Sequence, residues 1–89
     1  DTGHAAVQER VGCLSHRAQL GRFGEYLRGA HLHDIRELTD HLPPGQGTLD
    51  FAALADLLAA APLKVVEVWP APRRQVAQSI ALLREAGIA

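Results

Sequence analysis

Two short apolar runs, Leu27 to His33 and Leu63 to Trp69, flank one capped amphipathic helix. That order restricts the fold more than any other feature of the chain. Between the runs, Asp50 reads as a helix N-cap. Phe51, Leu54, Leu57 and Leu58 give one apolar face up to Ala61, and Pro62 ends the helix. A strand, a helix and a second strand pair their strands in parallel through a right-handed crossover. Period two puts Gly29, His31 and His33 on one face of the first run, with Ala30 and Leu32 on the other. In the second run Leu63, Val65 and Glu67 share a face opposite Lys64, Val66 and Val68.

The flanks extend the same alternation. His4 to about Ser15 carries Val7, Val11 and Leu14 at helical spacings, although Gly12 interrupts it. A second short helix is expected from His16 to Phe23, stopped by Gly24. Ile35 to Gly47 reads as a loop, marked by Pro43-Pro44 and Gly45-Gln46-Gly47. Pro70 and Pro72 stop the second strand and lead into a last helix from about Arg73 to Ala86. Val76, Ile80 and Leu83 form its buried face, and Gly87 is its end signal. With 89 residues, 47% hydrophobic but only 4% aromatic, the chain suits helices on a small sheet better than an aromatic-rich sandwich.

Composition also excludes several functions. A net charge of -1 with scattered Lys and Arg gives no basic stripe for a phosphate backbone, so nucleic acid is not an expected partner. No apolar run approaches a membrane span, so no membrane partner is expected. The single Cys13 excludes an internal disulfide and fits a reducing, cytoplasmic compartment. The chain contains no Met and opens on Asp1, which suggests a fragment whose upstream part is absent.

Four stretches repeat one chemistry: Asp1-Thr2-Gly3-His4, His31-Leu32-His33-Asp34, His41 to Gly47, and Val65-Val66-Glu67-Val68-Trp69. Each presents Asp, His or Glu near the end of a strand or in the loop after one. Side chains at the carboxyl ends of successive parallel strands converge on one spot, and this donor set suits a divalent metal. Glu67, set in an apolar run, is costly to bury unpaired. His31 and His33 share a face, with His33 able to orient a ligand or a substrate oxygen. Asp1 and His4, one turn apart, reach a common pocket. His16 and Cys13 are assigned packing or surface roles. Arg73-Arg74 reads as a solvated helix start. Gly45-Gln46-Gly47 lacks the spacing and Lys of a nucleotide loop and reads as a tight turn.

Together these stretches resemble the xylose-isomerase-like barrel superfamily, which includes sugar phosphate isomerases and epimerases and endonuclease IV. The family carries D-x-x-H after its sixth strand, here Asp1 and His4. H-L-H-D follows its seventh, here His31 to Asp34. A loop of the form H-x-P-x-G-x-G-x-x-D-[FW] comes next, here His41 to Phe51. A Glu stands in the apolar eighth strand, here Glu67. The resemblance implies an α/β fold. Residues 1–89 would be the C-terminal portion of a (β/α)8 TIM barrel: the tip of strand six, then strands seven and eight with their helices. It implies that Asp1, His31 and Glu67 bind a divalent metal, manganese first, with magnesium or zinc as alternatives. Glu67 would also be the catalytic acid/base. His4, His33 and His41 would contact substrate. The implied activity is a metal-dependent isomerisation or epimerisation of a sugar or sugar phosphate, moving a proton next to a carbonyl through an enediolate.

In the family a fourth ligand comes from the fifth strand, which this chain lacks. The chain alone is therefore expected to be inactive, to need the upstream half of the barrel as its partner, and to be prone to self-association. Two alternatives stand beside this reading. In the endonuclease IV branch His4 and His41 become zinc ligands too, but that branch carries Asp two residues before the loop His, where this chain has Thr39 with Asp40 adjacent. The other is a non-catalytic barrel fragment or interaction module.

Overall fold

Asp50 caps the central helix through its side chain, which accepts the Ala53 amide at 3.0 Å, a contact worth about 1 kcal/mol. In the computed structural model, which describes residues Asp1–Ala89, the elements in chain order are helices α1 (Thr2–Arg10) and α2 (His16–Phe23), a 3₁₀ turn (Gly24–Tyr26), strands β1 (Gly29–Leu32), β2 (Asp34–Arg36) and β3 (Thr39–Leu42), helix α3 (Phe51–Leu58), strand β4 (Leu63–Val66) and helix α4 (Arg73–Glu85). Strands β1 and β4 pair in parallel, with Gly29 opposite Leu63 and Leu32 opposite Val66. The crossover through α3 follows the order read from the sequence.

One face of this pair is covered. Ala30 and Leu32 from β1 join Phe51, Leu54, Leu58 and Ala61 from the α3 segment, with Leu83 of α4 and Ile88 beyond it, in one buried cluster. Burying a Leu or Phe side chain contributes about 1.5–3 kcal/mol, so this cluster fixes α3 and α4 against β1. The other face is open: His31, Leu63 and Val65 are exposed there. Parallel strands are normally covered on both faces.

The opposite edge of β1 is closed by α1. The Glu67 amide donates to Leu32 O, so Leu32 faces β4. One residue on, His33 faces the other way, and Thr2 meets it there. The Thr2 hydroxyl donates to His33 O at 2.8 Å and accepts from His33 N at 3.0 Å. A residue with a short polar side chain thus fills the position of a neighbouring strand's backbone. Gly3 permits the approach, because a Cβ there would run into the His33 ring.

Four expectations change. First, Asp1 is the N-cap of α1, with Oδ1 accepting the His4 amide at 2.8 Å, so the helix spans Thr2–Arg10 and not His4 to Ser15. It stops before Gly12, whose φ of +81° is left-handed. Second, the segment read as a loop from Ile35 forms the antiparallel β2–β3 hairpin, with Asp34 opposite Leu42 and Arg36 opposite Thr39. Its turn places Glu37 at φ 55°, a conformation usually filled by Gly or Asn. Third, β4 ends at Val66 and not at Trp69. Beyond Asp34 the chain has turned into the hairpin, and the Trp69 amide donates to His41 O at 3.0 Å. Fourth, β1 ends at Leu32, with His33 just beyond it.

Candidate metal centre

Asp34 shows how the hairpin and the following loop are held. Its carboxylate is fully buried and accepts four backbone amides. Oδ1 takes Ile35 N at 2.8 Å and Leu49 N at 2.9 Å; Oδ2 takes Gly45 N and Gly47 N, both at 3.0 Å. The glycine loop therefore wraps an internal carboxylate and not an external anion. Gly47 is required, because a Cβ there would strike Ile35 O and crowd Asp34. Asp34, the carboxylate of the His31–Asp34 stretch, is fully occupied by the backbone and does not belong to the open cluster.

On the uncovered face of the β1–β4 pair, three side chains from separate segments meet. Asp1 comes from the cap of α1, His31 from β1 and Glu67 from the residue after β4. Each offers a donor atom, and these atoms all lie within 4.8 Å of one another. His31 Nδ1 is 3.2 Å from Glu67 Oε2. Asp1 and His31 also line an open groove of about 290 Å³ with Gly29, Ala30, Leu63 and Val65. Two carboxylates and an imidazole are a hard-to-borderline donor set that suits manganese, magnesium or zinc. Ligands at about 2.0–2.2 Å around one ion stand about 3–3.5 Å apart. The His31–Glu67 spacing already matches, and a modest approach of Asp1 would complete the set. The residues present fit a divalent ion.

A second cluster adjoins the first. His4, His33 and His41 bring ring nitrogens within 4.8 Å of one another. The rings of His33 and His41 stack, with centroids 4.2 Å apart and planes 7° from parallel, and His4 stands edge-on to both. Asp40 ties this cluster together: Oδ1 is 2.8 Å from His41 Nδ1 and Oδ2 is 3.2 Å from His4 Nε2. The His41 proton donated to Asp40 holds its carboxyl below the usual carboxylate range. Neighbours in an extended strand project to opposite faces. His41 has φ 55°, which breaks that alternation and lets its ring reach the Asp40 side chain. His41 Nε2 is 3.7 Å from Glu67 Oε2, so the two clusters touch.

All six sequence-selected residues, Asp1, His4, His31, His33, His41 and Glu67, gather at this end of the molecule. His33 differs from the expectation of substrate contact. Its side chain is 0% exposed. Its Nδ1 accepts the His41 amide and its Nε2 meets Asp1 Oδ1, so neither nitrogen faces the groove. Burial, followed by the nearby His41 and His4, lowers its pKa. Asp40, named in the sequence only as the neighbour of Thr39 and given no role there, joins the site through its contacts with His4 and His41. His16 is buried, as a packing role requires, but its Nδ1 has no hydrogen-bond partner and burial lowers its pKa. Cys13 is exposed. No helix is long and apolar enough to cross a membrane. No known protein family, curated protein or solved structure matches the chain.

Proposed function

We propose that the chain is the C-terminal portion of a xylose-isomerase-like (β/α)8 barrel and that the whole protein is a metal-dependent sugar or sugar phosphate isomerase or epimerase. One observation carries the reading: Asp1, His31 and Glu67, far apart in sequence, bring donor atoms within 4.8 Å of one another on the open face of a parallel strand pair. The uncovered face and the Thr2 contact at the far edge of β1 support the barrel: the face would turn to the barrel interior, and Thr2 occupies the edge where a preceding strand would pair.

Asp1, His31 and Glu67 would hold the ion, with manganese the first choice. When bound, it would polarise a substrate carbonyl as a Lewis acid. The remaining work falls to side chains. Glu67 takes the proton from the carbon beside the carbonyl; the C–H electron pair moves toward the carbonyl oxygen, giving an enediolate. In isomerisation the same carboxyl returns that proton to the former carbonyl carbon while the hydroxyl proton passes from one substrate oxygen to the other. In epimerisation the proton returns from the opposite face, a task for the second carboxylate that the resemblance places on the fifth strand. His41 Nε2, 3.7 Å from Glu67 Oε2, stands beside that carboxylate. His4 is half exposed, with Nδ1 3.0 Å from Asp1 Oδ2 and Nε2 3.2 Å from Asp40 Oδ2, so it would donate to a substrate oxygen by giving up one of these contacts.

The test uses manganese and a panel of ketoses and ketose phosphates. The 89-residue chain should turn over none of them alone, and activity should appear when the upstream half is supplied, covalently or in trans. In the reconstituted protein Glu67→Gln should abolish turnover and leave the fold intact. Robust turnover by the chain alone, or retained activity in the variant, contradicts the reading.

A second reading has its own observation. Asp40 contacts both His4 and His41, so the carboxylate that the endonuclease IV branch places two residues before its loop His is supplied from the adjacent position. Cleavage of abasic DNA without sugar activity would select that branch.

A further inference from the structure

We infer that His33 is the positioning residue of this centre: a neutral imidazole, fixed as the Nε2–H tautomer, that aims the Asp1 carboxylate and thereby sets the affinity for a divalent cation. The inference rests on the metal reading above and assigns His33 a task other than substrate contact.

The tautomer follows from the hydrogen bonds. His33 Nδ1 lies 2.8 Å from the His41 backbone nitrogen, whose N–H donates to it. A nitrogen that accepts carries no proton, so the ring proton is on Nε2. Nε2 is 2.8 Å from Asp1 Oδ1 and therefore donates to the carboxylate. Oδ1 also accepts the His4 amide at 2.8 Å. Oδ1 is thus held by two donors, and Oδ2, which meets only the half-exposed His4 Nδ1 at 3.0 Å, is the oxygen a cation would take in exchange for that contact.

The ring cannot easily turn away. Thr2 holds the His33 backbone by both its N–H and its C=O. Gly3 packs so closely on the ring that no side chain fits there. His41 stacks on its face. His41 itself sits at φ 55°, a costly backbone conformation for a residue other than Gly, and its N–H to His33 and its C=O to Trp69 hold it there. A hairpin backbone, a buried ring and a ligand carboxylate thus form one rigid line. Outer partners that orient a ligand typically alter metal affinity 10–100-fold when removed.

Two substitutions separate the two ring nitrogens. Gln places its amide N–H near the position of Nε2, so His33→Gln keeps the donor to Asp1 and loses the acceptor for His41. Asn places its oxygen near Nδ1, so His33→Asn keeps the acceptor and loses the donor. The purified 89-residue chain is titrated calorimetrically with manganese chloride, with folding checked by Trp69 fluorescence. His33→Asn should bind about 10–100-fold more weakly than wild type, and His33→Gln should stay close to wild type. Equal losses in both, or affinity that simply follows melting temperature, overturn the proposal in favour of a purely structural role. Imidazole ¹⁵N NMR on the metal-free chain should show His33 as the Nε2–H tautomer, with its Nε2–H signal shifted in Asp1→Asn. An Nδ1–H or doubly protonated ring overturns the proposal, as does a His33 ¹⁵N shift showing direct coordination of added zinc. Should His33→Asn fail to fold, the NMR result decides. A wild-type chain that takes up no manganese overturns the metal reading itself, which is a different outcome from binding that ignores the donor.

Discussion

His31 Nδ1 stands 3.2 Å from Glu67 Oε2 on the face of the β1–β4 pair that no helix covers. The parallel register creates this meeting. His31 lies opposite Val65, and Glu67, two residues further along and just past the end of β4, reaches the same side. A one-residue slip of either strand would turn one partner into the core. The chemistry of the site is thus tied to the same register that buries Ala30 and Leu32.

The Asp34 carboxylate should be among the least replaceable groups in the chain. Asp34→Asn puts an amide NH₂ where an oxygen now accepts two backbone N–H groups, or loses both Oδ1 contacts if it flips. Buried donors left without acceptors cost about 1–3 kcal/mol each. A loss of at least about 2 kcal/mol is expected in urea unfolding, and Gly47→Ala should show a similar loss through its clash with Ile35 O. An Asp34→Asn variant as stable as wild type would show that the loop is held by other contacts.

Stability should fall on mild acidification. Burial lowers the pKa of both His16 and His33 in the folded chain. The unfolded chain, with histidine pKa near about 6.5, therefore binds protons first as pH drops. The contribution of these neutral rings is fully present above about pH 6.5 and is lost as pH falls through the lowered folded values. Asp40 adds a loss in the same direction at lower pH, since its folded pKa lies below its unfolded one. His16→Leu removes a buried nitrogen that has no partner. Denaturation from pH 7.5 to 5 should show a shallower decline in this variant, and an unchanged slope would mean that His16 does not titrate with folding.

The open face should make the isolated chain associate. Leu63 is 61% exposed there and Val65 42%. Clustered apolar surface of this kind drives self-association. Sedimentation at increasing concentration should show association that Leu63→Lys with Val65→Lys reduces. A concentration-independent monomer in the wild type would contradict this.

Much of the arrangement was legible because it rests on strong local signals. The Asp50 cap, the Phe51–Leu54–Leu58 face and the apolar run before Glu67 announce a strand–helix–strand crossover, and period two then puts His31 and Glu67 together. His33 escaped that logic. β1 ends at Leu32, so the alternation stops one residue short, and the first turn of α1 closes over the ring through Gly3. The hairpin was hidden for a related reason. Its turn uses Glu37 in a left-handed conformation in place of Gly or Asn, and its anchor, Asp34, acts through backbone amides far along the chain. Asp40 joins the site only because His41 departs from regular strand geometry. The helix start at Thr2 depended on a cap made by the first residue.

The central claim is that Asp1, His31 and Glu67 hold a divalent ion, and electron paramagnetic resonance of manganese added to the 89-residue chain tests it most directly. The account predicts one bound equivalent in the wild type, its loss in His31→Ala and in Glu67→Gln, and unchanged melting of both variants, since both side chains are about half exposed. Manganese that stays free in the presence of wild type, or that binds equally well to both variants, would contradict it.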